Sequence, residues 1–233
     1  MNASDRLRID FRSLYDHFNA PVTDFDCGER CAPHHPRGVP LCCDICEAVP
    51  VAYWQEWDYL KQHTDLWHLY ADDECGGSSE DAQFLREETP ENMTLVACKG
   101  AAHCQREYRS VSCRQFPFFP YISADGRFLG LAYEPSFEQG CWVISNLWSV
   151  TLTYRREFVE IYDLLFAVWP DEFDNYAQAS AEARELFAER RMRMPLLHRN
   201  GNNYLLSPAS DRLQLADIRG FRKFGVYARE DSA

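Results

Sequence analysis

Ten cysteines stand in this 233-residue chain. Five of them crowd into one stretch, DCGERCAPHHPRGVPLCCDIC, as Cys27, Cys31, Cys42, Cys43 and Cys46. A second group follows at Cys98, Cys104 and Cys113, while Cys75 and Cys141 stand apart. Clustered thiols suit a soft metal, which binds several thiolates at once and adds its ligation energy to the folding energy. Cys43 and Cys46 have the C-x-x-C spacing that turns two sulfurs toward one metal, and the three-residue gap of Cys27 and Cys31 also permits chelation. The remaining gaps fit neither a zinc ribbon nor a ferredoxin run. Softness does not choose between zinc and iron–sulfur. Ligand number does lean one way: a closed zinc site needs about four ligands, and the two groups offer eight thiols. The adjacent Cys42 and Cys43 fit poorly on one small ion but can reach different irons. The expectation is therefore that the two groups meet in space, with an iron–sulfur cluster preferred over zinc; eight thiols would also suffice for two four-thiolate centres.

Other residues offer weaker chemistry. His34 and His35 lie in the same loop and His103 precedes Cys104; each is a potential zinc ligand, yet a Pro-rich loop more often leaves histidines exposed. Cys75 reads as a surface thiol in an acidic loop, and Cys141 as a late ligand or a buried structural residue. Arg114, beside Cys113, could hydrogen-bond a thiolate or pair with a carboxylate. Glu56 and Asp58 are close in sequence, but two positions apart on a helix they face different directions. No phosphate loop, dinucleotide fingerprint, nucleophile elbow or His-Glu-x-x-His is present.

Composition bounds the rest. A hydrophobic content of 46% and an aromatic content of 14% are those of a globular chain, long enough to bury a core without disulfides. A net charge of −12 argues against nucleic acid and against anionic lipid as partners. No secretory signal or apolar run of spanning length is visible, so a cytoplasmic protein with reduced thiols is expected, in reach of a protein partner or protein substrate.

The elements that must position the thiols follow from periodicity. Apolar spacing over residues 4–18 predicts a helix capped by Ser4 or Asp5 and ended by Pro21. Prolines and Gly38 make the cysteine stretch a wrapped loop. Residues 51–63 read as a helix with a further turn near 66–70, and 71–92 as an acidic surface loop. Residues 93–97 read as a strand leading into Cys98. Residues 116–123 and 127–133 flank the turn signal Ala124-Asp125-Gly126, which predicts a small hairpin. Two helices follow, one from Thr151 to Pro170 and one over 171–192, and the tail holds a turn at Asn200-Gly201 with a short hairpin. Aromatic residues near the thiols (Trp54, Trp57, Phe116, Phe118, Phe119, Trp142) would shield a cluster or simply form core.

The second cysteine group carries a family resemblance. Cys98, Cys104, Tyr108-Arg109 and Cys113-Arg114-Gln115-Phe116-Pro117-Phe118 resemble the second half of the YkgJ-like cysteine-cluster proteins, described as zinc- or iron-chelating domains. Cys27, Cys31 and Cys42-Cys43 resemble the first half, and a related domain occurs in flagellin lysine methylases. The likeness covers roughly residues 25–145. It departs at Ser110, where the family has proline, in an insertion carrying His34 and His35, and at Cys46, which has no counterpart. It implies a metal-chelating role that supports redox or protein-modification chemistry.

Together these observations predict an α+β chain, mainly helical with a small β-hairpin, wrapped around a cysteine-bound metal centre. Residues 1–150 would form the cysteine-cluster domain and 151–233 a helical extension packed on it. The ligands would come from Cys27, Cys31, Cys42, Cys43, Cys46, Cys98, Cys104 and Cys113, holding iron–sulfur or zinc. Two other readings stand beside this one: a structural zinc module that mediates protein–protein interaction without catalysis, and a thiol–disulfide protein using Cys43 and Cys46. The latter lacks a thioredoxin-like βαβ pattern.

Overall fold

The computed structural model describes residues 8–230, so Ser4, Asp5 and Leu7 of the expected first helix lie outside the described residues. Two compact units divide at Phe116/Pro117 rather than at residue 150: one combines Arg8–Asp16 with Gly28–Phe116, the other His17–Cys27 with residues 117 onward.

The first unit is built on a three-stranded antiparallel sheet in the order β1-β3-β2. Its strands are β1 (Val51–Tyr53), β2 (Trp67–Leu69) and β3 (Met93–Cys98). β3 is the most apolar run of this unit and takes the centre, with Val96 and Ala97 fully buried. Antiparallel register sets Trp67 opposite Cys98, so the end of the central strand and one indole share a place. Tyr53 ends β1 and starts the helix Trp54–His63, whose third residue, Glu56, accepts the Tyr53 backbone N–H at 3.2 Å. That contact is half of a capping box. Tyr70, Ala82, Leu95 and Ala97 form a small core beneath the sheet. Ala82 comes from a helix, Ser79–Glu87, inside the stretch expected to be loop. Its start is written locally: Ser78 and Asp81 exchange side-chain and backbone hydrogen bonds at 2.9 and 3.2 Å, the S-x-x-D form of the capping box.

The second unit holds a five-stranded antiparallel sheet, ordered β4 (Phe118–Ile122), β5 (Phe128–Tyr133), β6 (Met194–His198), β7 (Asn203–Ser207) and β8 (Arg212–Leu215). The expected hairpin is its first two strands. β6 to β8 extend it well beyond a hairpin because Gly130 lets β6 approach: with φ of +144° it sits so close that a Cβ would meet the Leu197 carbonyl oxygen at 2.3 Å. The helices Leu152–Val168 and Pro170–Glu189 pack on β5 and β4. Phe18, Tyr154, Phe158, Tyr162 and Phe187 fill the space between, all at most 1% exposed. β4 is an edge strand and tolerates Pro120. Its edge is covered: Ser180 Oγ accepts the Ile122 N–H at 2.9 Å, and Arg184 donates to the Ile122 carbonyl at 2.9 Å. Buried Arg155 ties the first of these helices to the β6–β7 turn by donating to Asn203 Oδ1 and to the carbonyls of His198 and Asn202.

The architecture corrects the sequence expectation. The chain is α+β with two antiparallel sheets among its described residues, not a mainly helical body with one hairpin wrapped around a metal. Its cores are aromatic and aliphatic, and burial of that apolar surface is the dominant driving force for folding. No helix among the described residues is long and apolar enough to cross a membrane.

Candidate metal centre

Five thiols line one hollow of about 50 Å³ in the first unit: Cys42, Cys43, Cys98, Cys104 and Cys113. Arg109 joins them, and Ile45, Pro50, Leu66 and Trp67 supply its apolar wall. Four local devices bring the five thiols there. Pro40 starts a single 3-10 turn, Leu41–Cys43, in which the Cys43 N–H reaches the Pro40 carbonyl at 2.8 Å. This puts the Cys42 and Cys43 sulfurs 3.9 Å apart. Cys98 ends the central strand, and the N–H of Gly100 points at its sulfur from 3.4 Å. Cys104 closes the 3-10 turn Ala101–His103. Cys113 lies on the short helix Val111–Gln115, where Ser110 Oγ accepts its N–H at 3.3 Å.

The surroundings hold these pieces. Asp44, 3% exposed, fastens the first loop: its carboxylate takes the Cys46 N–H at 3.0 Å, pairs with Arg37, and lies 3.4 Å from His35 Nε2. Glu56, fully buried, fastens the last helix by accepting the Val111 N–H at 2.7 Å and the Tyr15 hydroxyl at 2.6 Å. Ser112 adds a bond to the Val51 carbonyl at 2.6 Å. Arg109 donates from Nε to the Cys104 sulfur at 3.3 Å. Burial raises the Cys98 thiol above its ordinary value and pushes Cys113 up to about 12, with the Ser110 hydrogen bond opposing in the latter. At neutral pH such a thiol keeps its proton until a cation displaces it. Among the described residues no three Cys, His, Asp or Glu side chains already stand close enough together to hold a metal ion.

Several expected residues lie elsewhere. Cys46 is bonded to Cys75 in a disulfide, with Cα atoms 5.5 Å apart. Cys46 does not line the hollow and Cys75 is not a surface thiol: the first loop and the 71–76 turn approach within bridging distance, which spacing alone does not reveal. Cys31, at the end of the helical turn Gly28–Cys31, is buried but does not line the hollow, and Cys27 and Cys141 belong to the other unit. His35 faces Asp44 rather than the thiols. Arg114 bonds carbonyls, donating to those of Arg109, Glu107, Arg106 and Tyr15, and lies 4.3 Å over the Tyr15 ring. Of the aromatic residues expected as a shield, Trp54 is 49% exposed, and Phe118, Phe119 and Trp142 lie in the second unit. The indole at the hollow is Trp67, anchored by its Nε1 to the Tyr108 carbonyl at 2.8 Å. Cysteine spacing does not single out Arg109, Asp44 or Trp67; Arg109 and Asp44 act on near neighbours in sequence, and Trp67 on Tyr108, 41 positions away.

The Cys46–Cys75 bond spans 29 positions, a loop whose closure stabilises by roughly 3–4 kcal/mol in the chain-entropy account. Cys75→Ser is expected to lower the unfolding free energy of the first unit by about that amount, read as a shift in urea midpoint. An unchanged midpoint would show that the bond constrains nothing.

Comparison with family models, curated proteins and solved structures finds no match to this chain.

Proposed function

We propose that this chain is a metal-chelating protein that binds an iron–sulfur cluster through the thiols of Cys42, Cys43, Cys98, Cys104 and Cys113. The single observation that carries the reading is the convergence of these five thiols, from both sequence groups, on one hollow. The donor set suits the group: it is sulfur only, soft, and larger than the four ligands of a closed zinc site. Neighbouring sulfurs on Cys42 and Cys43 favour more than one iron over one zinc. Ligation would require side-chain rotation, since the sulfurs line the hollow without yet forming a coordination sphere. Arg109 would offset negative charge by its contact to the Cys104 sulfur, and the apolar wall with Trp67 would limit water. Such a cluster would supply one-electron redox chemistry; the protein's part is to hold and tune it.

The likeness of the second cysteine group to YkgJ-like proteins supports the same reading and extends it to support of redox or protein-modification chemistry on a protein partner. We place the chain in the cytoplasm, where thiols are kept reduced, with the Cys46–Cys75 bond as the one element that such a compartment would challenge. The test is the visible absorption of protein reconstituted anaerobically with iron and sulfide. A broad charge-transfer band that bleaches with dithionite is expected, whereas a colourless protein that takes up zinc alone would overturn the assignment.

A further inference from the structure

In the second unit, a cavity of about 310 Å³ opens beside the five-stranded sheet. Its walls are apolar: Ile144 and Leu147 on one side, Pro195 and Leu205 from β6 and β7, and Phe221 and Phe224 from the chain that follows β8. The size lies at the lower end of small-molecule pockets, about 300–1,000 Å³. The wall formed by the chain after β8 is fixed in place. Ser145 Oγ accepts the Phe224 N–H at 2.9 Å, and the Tyr227 hydroxyl reaches the Gly140 carbonyl at 3.2 Å. Gly225, with φ of +54°, presses so close to Gln139 that a Cβ would meet its carbonyl oxygen at 2.5 Å.

Two guanidinium groups, Arg193 and Arg222, stand among these apolar walls. Arg193 donates to the neutral Gln214 amide, while Arg222 contacts the Met192 sulfur at 3.5 Å and lies 5.5 Å over the Phe224 ring. Among the described residues neither is paired with a carboxylate. Arg190, by contrast, is matched by Glu138 at 2.8 Å. The contrast is sharper in a chain of net charge −12, whose residues 190–193 and 219–223 nonetheless gather Arg190, Arg191, Arg193, Arg219, Arg222 and Lys223. An apolar hollow with two unmatched, planar, bidentate donors at its side complements one ligand chemistry, an apolar body carrying a carboxylate.

We propose that this cavity binds a small organic carboxylate with an aromatic or branched aliphatic body, its carboxylate held by Arg222 and Arg193. The site shares no residue with the thiol hollow and stands or falls independently of it. Calorimetric titration of the full chain with 1-naphthoate and with its neutral isostere 1-naphthamide tests this. Saturable one-to-one binding of naphthoate is expected, about tenfold or more tighter than naphthamide, as a charge-assisted hydrogen bond provides. Arg222→Gln should weaken naphthoate by about tenfold while leaving naphthamide binding and thermal melting unchanged, because the side chain is exposed. Arg193→Gln should act in the same direction. Absence of saturable naphthoate binding up to millimolar concentration, equal affinity for the two probes, or indifference to both substitutions would overturn the assignment.

Discussion

Glu56→Ala is expected to destabilise the first unit by about 3–5 kcal/mol, a large fraction of a small domain's stability. The fully buried carboxylate takes three donors: the Tyr15 hydroxyl, the Val111 N–H and the Tyr53 N–H. Removing it leaves all three without an acceptor, at about 1–3 kcal/mol each before relaxation. It also releases the start of the helix that carries Cys113. Glu56 gives the unit a pH dependence as well. Burial pushes its carboxyl from the ordinary 4.5 up to about 7, against the lowering effect of its hydrogen bonds and of nearby Arg114. A raised folded-state value means that the folded protein holds the proton more tightly. The contribution is therefore fully present below pH 4.5 and is lost as pH rises toward 7, by up to about 3 kcal/mol. Urea melts of wild type and Glu56→Gln between pH 4.5 and 8 read this as a stability difference that shrinks with rising pH. A difference that stays constant would mean that Glu56 is ionised throughout.

The second large effect concerns the thiols. Cys98→Ser and Cys113→Ser are each expected to reduce bound metal to a small fraction of the wild-type content, since serine replaces a soft donor with a hard, protonated one. Arg109→Gln should act more mildly, weakening metal affinity about 10-fold or more, as loss of a hydrogen bond to a ligand does. Because both sheets have aliphatic or aromatic cores of their own, far-UV circular dichroism of the serine variants should stay close to that of the wild type. Loss of secondary structure along with metal would show that ligation, rather than apolar burial, holds the fold.

Much of the local structure was legible in the residues. The strand into Cys98, the Ala124-Asp125-Gly126 turn and the two long helices after Thr151 all follow from short-range periodicity or turn chemistry. What escaped depends on partners distant in sequence. The short hairpin expected at Asn200-Gly201 is β6 with β7, but that β6, buried over four of its five residues, also joins β5 was not legible. Its place in the sheet is set by Gly130, sixty-odd residues earlier. Residues 66–70 look helical in isolation, but Trp67–Leu69 become an edge strand because β3 offers them a free side. The helix after Ser78 was legible in principle from its capping box and was obscured by the acidic, Gly-rich composition around it. Among the thiols, spacing singled out both groups, yet the Cys46–Cys75 bond and the assignment of Cys27 to the other unit follow only from the fold. Asp44 and Glu56 look like ordinary surface carboxylates in the sequence. Burial makes them the fasteners of the two segments that carry Cys42, Cys43 and Cys113.

The central claim, that five converging thiols hold an iron–sulfur cluster, is tested most directly by measuring iron, acid-labile sulfide and zinc per chain after anaerobic reconstitution of this chain. Iron and sulfide are expected in comparable, stoichiometric amounts, retained through desalting and lost in Cys98→Ser and Cys113→Ser. Stoichiometric zinc without sulfide, or no metal retained by fully reduced protein, would contradict it.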